Sequence, residues 1–209
     1  NGTIDDFKNY GNIQVYAQGN ATGADNDNYA VGVYANTINN FFSNGTVNAT
    51  SEAENGNAIA SGVAAGGEDQ GNGTIGVFEN AGNIYASANS QTGNATSIGV
   101  YAYNGIIGNF TNSGNITAIS TGVYAWAYGV SAGNNIGNFT NIGNITVTAN
   151  ATGGDAGADG VDASNIGNFE NSGTITAIST GVYAWADGVS ASNNIGNFTN
   201  IGNITVTAN

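Results

Sequence analysis

Phe110 to Ala118 reads FTNSGNITA, and the rest of the chain is variation on it. The pattern is F-x-N-x-G-x-I-x-A, and it occurs seven times, the other copies beginning at Phe7, Phe41, Phe78, Phe139, Phe169 and Phe198. Val15, Val147 and Val206 replace the final Ala, Ser43 replaces the Asn and Val47 replaces the Ile. Phe and Ile/Val fall on one parity and polar residues mostly on the other, the two-residue period of a strand with one buried face. The Asn and Gly share the buried parity and suit a bend between two strands, where Gly tolerates unusual dihedrals and Asn hydrogen-bonds locally. None of these units can bury its apolar face alone, so they are expected to stack.

Working outward, the Phe-to-Phe intervals are 34, 37, 32, 29, 30 and 29 residues. Each interval holds a second anchor, a small residue followed by x-G-V-x-A or a near match, with its Gly-Val at Gly32-Val33, Gly62-Val63, Gly99-Val100, Gly129-Val130, Gly160-Val161 and Gly188-Val189. Length varies only between anchors, around Gly19 to Asn28, Glu52 to Asn57 and Gly67 to Gly73, as expected when loops leave a stack whose strands stay in register. The fold class is therefore all-β: one parallel β-helix over residues 1–209, with six to seven coils of roughly 30–37 residues and three short strands per coil. At about 4.8 Å per coil the rod is on the order of 30 Å long. Phe7, Phe41, Phe78, Phe110, Phe139, Phe169 and Phe198 should form a core column. Asn9, Asn80, Asn112, Asn141, Asn171 and Asn200 either form an amide ladder inside a bend or serve only as turn formers.

Residues 107–150 and 166–209 differ at four positions only: Thr111/Glu170, Asn115/Thr174, Tyr128/Asp187 and Gly133/Ser192. Such duplication suits length or multivalency better than a single catalytic centre. The chain begins and ends inside a repeat without a polar cap, so it is expected to be a segment of a longer array, meeting further coils or copies of itself.

Composition narrows function. There are 14 acids against one cation, Lys8, for a net charge of −13, and no His, Cys, Met or Pro. That balance repels a phosphate backbone, and nucleic acid is excluded as a partner on this ground. No stretch approaches the roughly 20 apolar residues of a membrane span. An enzyme is not expected: Arg and His are absent, and Asp155, Asp159 and Asp162, the densest acids, sit among Gly and Ala. Calcium is conceivable at Asp25/Asp27 or Asp155/Asp159, but the spacing is irregular and solvated acidic loops are the preferred reading.

Three surface features remain. Thirteen N-x-T triplets include those at Asn109, Asn115, Asn138, Asn144, Asn197 and Asn203, whose Asn and Thr should face solvent; they are glycan acceptors or unselected products of an Asn/Thr-rich chain. Thr146/Thr148 and Thr205/Thr207 suggest an ice-binding T-x-T face, broken by Gln14/Tyr16 and Tyr85/Ser87. Tyr124, Trp126 and Tyr128, with Tyr183 and Trp185 one duplication later, are expected to point outward and stack on surface glycans, or else to lie against neighbouring coils.

Gly122-Val-Tyr-Ala, Asn112-Ser-Gly-Asn-Ile-Thr and Gly32-Val-Tyr-Ala resemble the passenger repeats of bacterial autotransporter and haemagglutinin-type surface proteins. The resemblance spans essentially the whole chain through short motifs. It implies an extracellular or cell-surface β-solenoid for adhesion, spacing or matrix, and no fixed ligand residues. The expected function is a stalk, fibre or sheath unit built by coil stacking, with a carbohydrate-binding adhesin as the alternative.

Overall fold

The computed structural model describes residues 2–20 and 27–209, and these wind through about seven turns of a parallel β-solenoid. The first coil holds β1 (Thr3–Asn9), β2 (Asn12–Gly19) and β3 (Asp27–Ala35). The second holds β4 (Thr37–Ser43), β5 (Thr46–Ala53) and β6 (Asn57–Ala65); the third, β7 (Thr74–Asn80), β8 (Asn83–Ser90) and β9 (Ala95–Ala102). Then come β10 (Ile106–Asn112), β11 (Asn115–Gly122), β12 (Ala125–Asn141), β13 (Asn144–Ala151), β14 (Asp155–Asn171), β15 (Thr174–Thr180), β16 (Tyr183–Asn200) and β17 (Asn203–Ala208).

The F-x-N segments make one face, with register Phe78 to Phe110 to Phe139. The G-x-I-x-A segments make a second, as a separate sheet running from β2 to β17. The Gly-Val segments make the third, with register Val33 to Val63 to Val100 to Val130. Three short strands per coil hold for the first three coils but not beyond. From β12 onward the third-face strand of one coil continues without a break into the first-face strand of the next. The reason is a bulge: Gly133 and Asn134 oppose the single Ser164, which in turn opposes Ser192 and Asn193. One extra residue bends the strand around the corner while pairing survives on both sides. In the earlier coils the loop Gly66–Gly73 and the turn at Asn104 (φ 44°) interrupt pairing at that corner.

Alternation fills the interior with like over like. The Phe rings stack with centroids 4.6–5.1 Å apart and planes within 8° of parallel along the whole column. Phe41 to Phe169 are fully buried; Phe7 is half-buried and Phe198, in the last coil, is 49% exposed. Ile38, Ile75, Ile107 and Ile136 form a second dry column, and Val63, Val100, Val130 and Val161 a third.

The motif glycine has a different role from the one its bend position suggests. None of Gly45, Gly82, Gly114, Gly143, Gly173 or Gly202 has a left-handed φ. A Cβ on any of them would strike the main chain of the bend one coil earlier: on Gly114 it meets the carbonyl oxygen of Gly82, on Gly143 that of Gly114. The constraint is inter-coil spacing at a corner. The Gly of Gly-Val is small for a related reason, since a Cβ on Gly99 would run into the Cγ2 methyl of Ile116.

Candidate functional site

The inner asparagines lie buried at the corner between the first two faces. Asn80 Nδ2 donates to Asn112 Oδ1 (2.8 Å), Asn112 to Asn141 (2.8 Å), Asn141 to Asn171 (2.8 Å) and Asn171 to Asn200 (2.7 Å). Each amide also donates to the carbonyl of the motif Gly two residues on, 3.2 Å for Asn112 to Gly114. At the other end Asn9 Nδ2 meets the Ser43 hydroxyl at 3.2 Å. The ladder satisfies amides that would otherwise be buried without partners.

Further ladders run on the outside. Asn138 Nδ2 donates to Asn109 Oδ1 (2.8 Å), Asn168 to Asn138 (2.6 Å) and Asn197 to Asn168 (2.7 Å). Asn144 donates to Asn115 (2.9 Å), and Asn115 to Asn83 (2.8 Å). Among the N-x-T triplets, Asn109, Asn115, Asn138, Asn144, Asn197 and Asn203 are exposed, but the Nδ2 groups of Asn115, Asn138, Asn144 and Asn197 already bridge coils. Glycans on successive coils of one column would also sit only about 5 Å apart. These amides therefore have a structural role whether or not they are modified.

The aromatic run is less exposed than its parity suggests. Tyr124, Tyr183 and Trp185 are 40%, 71% and 43% exposed, whereas Trp126 and Tyr128 are half-buried. Trp126, Gly157 and Trp185 share one outward column on three successive coils. Trp185 lies over Gly157, where a Cβ would meet its ring, and Tyr124 covers Gly154 in the same way. Tyr124 and Trp126 stack on each other at 5.9 Å, 4° from parallel. The glycines thus form a shelf between two aromatic steps.

Threonine order is greater than the sequence suggested: Thr117, Thr146, Thr176 and Thr205 occupy one outward column in register. Its neighbour alternates Ile119, Thr148, Ile178, Thr207, so paired T-x-T rows occur only on every second coil.

Of the calcium candidates, Asp25 lies outside the described residues. Asp27 spends both oxygens on protein donors, accepting from Asn57 Nδ2 and the Tyr29 hydroxyl at 2.9 Å each. Asp155 and Asp159 cannot share an ion. They stand four residues apart on β14, about 13 Å along a strand, against calcium–oxygen distances of about 2.5 Å. Among the described residues no group of three or more acidic, His or Cys side chains has a metal-holding arrangement. Asp159 instead sits in a column between Tyr128 and Asp187. Burial, then the charges of Asp162 and Asp187, push its carboxyl up to about 7, and Oδ1 has no hydrogen-bond partner.

One feature was not visible as a motif. On the outward third face of the first three coils, a groove of about 620 Å³ runs between the strands and the loop that carries Glu68. Tyr29, Tyr34, Tyr101 and Tyr103 line it over Ile59 and Ile98. The tyrosines come from coils that only register brings together, so no local pattern marks them.

No helix among the described residues is long and apolar enough to cross a membrane. No protein-family model, curated protein or solved structure matches the chain, which the structure itself places among the parallel β-solenoids.

Proposed function

We propose that this chain is a structural segment of an extracellular or cell-surface fibre, stalk or sheath, extended by stacking against further coils of the same protein or of another copy. The observation that carries this is the like-over-like register of the interior: the Phe rings stack from Phe7 to Phe198, and each coil offers the next the same Phe, Ile and Val columns, so that one coil is a template for another. Unpaired strand edges pair readily with more β structure. Stiffness without charge networks follows from main-chain pairing, ring stacking and amide ladders along one axis. The resemblance to autotransporter and haemagglutinin passenger repeats supports display outside the cell.

Cryo-electron microscopy of the protein as its source displays it tests this. Coils continuing past both ends of the segment are the expected image. A short rod whose ends meet only solvent would overturn it.

A second reading, a carbohydrate-binding adhesin, draws support from the exposed Tyr183 and Trp185 and the stacked Tyr124–Trp126 pair beside a glycine shelf. Replacing both Trp by Ala separates the two: loss of glycan binding with assembly intact favours adhesion. An ice-binding face has narrower support, the single in-register column from Thr117 to Thr205.

A further inference from the structure

We propose that the tyrosine groove on the first three coils is a binding site for a small organic ammonium ion of the choline class. The argument starts from the walls. Tyr101 and Tyr103 meet edge to face, centroids 6.0 Å apart at 89°, so they present two perpendicular ring surfaces. Tyr29 and Tyr34 stand on the first coil along the same groove, both largely exposed. Ile59 and Ile98 supply a dry floor. Tyr34 and Tyr101 stand in one outward column with only Ala64 between them, and Tyr103 follows two residues on, so these three line one end of the groove. Phenol faces carry negative potential and attract a cation most strongly where water is partly excluded.

The rim carries the opposite charge to such a ligand. The loop Gly66–Gly73 folds back on itself, with left-handed glycines at Gly66 and Gly71 (φ +74° and +81°) and a two-way main-chain bridge between Gly67 and Gly71 at 2.9 and 3.1 Å. That tight loop holds Glu68 and Asp69 over the groove. Glu68 is close enough to affect phenols on both sides. Although the Tyr29 ring is largely exposed, partial desolvation of its hydroxyl, its bond to Asp27 and the charges of Asp27 and Glu68 push it up to about 12. Tyr101 is raised by burial, by Tyr103 and by Glu68. No basic side chain neutralises this rim, because the chain's single cation, Lys8, sits on β1 beside Tyr10 and Phe42. An ammonium ion satisfies both the rings and the rim, and the net charge of −13 draws it in.

The site is independent of the coil-stacking reading, and its test uses a different readout. The chain is titrated calorimetrically with choline chloride and, in parallel, with 3,3-dimethylbutan-1-ol, which has the same shape and no charge. Saturable choline binding that weakens with salt, with the isostere at least about tenfold weaker, is expected. Glu68→Gln at the loop tip should weaken choline about fivefold, Glu68→Asp should recover part of it, and Tyr101→Leu should weaken it by about tenfold. Glu170→Gln, which removes an exposed charge on β14 several coils away, should change nothing. Co-sedimentation with phosphatidylcholine vesicles then tells a lipid headgroup from the free ion as the source. Equal binding of the isostere, preference for chito-oligosaccharides, or no saturable choline signal would each overturn the proposal.

Discussion

The first three coils space their phenylalanines 34, 37 and 32 residues apart, whereas the later intervals are 29 or 30. Inside, the two regions are alike: Phe78 and Phe139 are equally buried, and each stacks on its neighbours within 3° of parallel. Outside they diverge. The early coils break at corners, extend loops and enclose a groove, whereas the later ones run through their corners in strands of 17–18 residues and expose flat rows of Asn and Thr. The interior is the shared constraint, because each side chain there must match the one about 5 Å above it. The surface can diverge because a loop contacts only its own and adjacent coils.

If that division is right, truncations inside the column should cost the same in both regions. Phe78→Ala and Phe139→Ala should each destabilise by about 4 kcal/mol, and Phe198→Ala in the open coil by clearly less. Chemical denaturation with far-UV circular dichroism checks this. A cost at Phe78 half that at Phe139 would mean the early coils are loosely packed despite their geometry. Next in size is the corner glycine. Gly82→Ala and Gly143→Ala each put a Cβ into the preceding coil's main chain and should lose about 2–3 kcal/mol. Gly11→Ala, in the first coil of the same column, meets nothing within 4 Å and should be near neutral. Equal losses at all three would show that conformational freedom matters there and not inter-coil space.

The asparagine ladder marks one interior difference between the regions. In the later coils amides pair at 2.7–2.8 Å, but Ser43 interrupts the column, leaving Asn9 on a hydroxyl at 3.2 Å. Ser43→Asn should complete the ladder and raise stability by about 1 kcal/mol, and Asn141→Ser should lower it by about 1–2 kcal/mol. Thermal melts of the pair against the parent chain measure both signs. Destabilisation by Ser43→Asn would mean that the early corner has no room for the amide.

How much of this was legible follows from how far apart in sequence the partners lie. The Phe, Ile and Asn columns were readable because each copy carries its own alternation, and Phe110 needs only its neighbours to show which way it points. The reason for Gly114 was not readable, because the atom it avoids belongs to Gly82, 32 residues earlier. The outer ladders escaped notice for a similar reason: in strand pattern Asn138 is a solvent-facing polar residue, and only register places it on Asn109. The merging of strands at Ala132–Asn135 depends on a one-residue mismatch between coils, which repeat length alone obscures. Tyr34 and Tyr101 come to share one column because β6 contributes only Ala64 between them, while Tyr29 lines the same groove five residues earlier, beside Ile59.

The smallest expected effect is a pH dependence confined to the later coils. Asp159 faces Tyr128 on the coil before and Asp187 on the coil after, with Asp162 three residues along β14, and no cation lies among them. Its folded pKa of about 7 stands above the ordinary 3.8, so the folded state holds a proton that the unfolded chain has already released. Stability therefore falls as pH rises from about 4 to about 7, and the penalty is fully present above that window. Asp162, raised by burial and by Asp187, acts in the same direction. Because Asp159 is only half-buried, solvent screening should hold the loss between pH 5 and 8 to about 1 kcal/mol or less. Asp159→Asn keeps the shape and removes the charge, so it should stabilise the chain at pH 8, do little at pH 5 and flatten the melting profile between them. Hydrogen exchange resolved by residue gives the sharper reading: the parent's pH-dependent loss of protection should centre on β12, β14 and β16 and spare β4 to β8. A loss spread evenly over the rod would instead trace it to the general repulsion of 14 acids and remove Asp159 from the account.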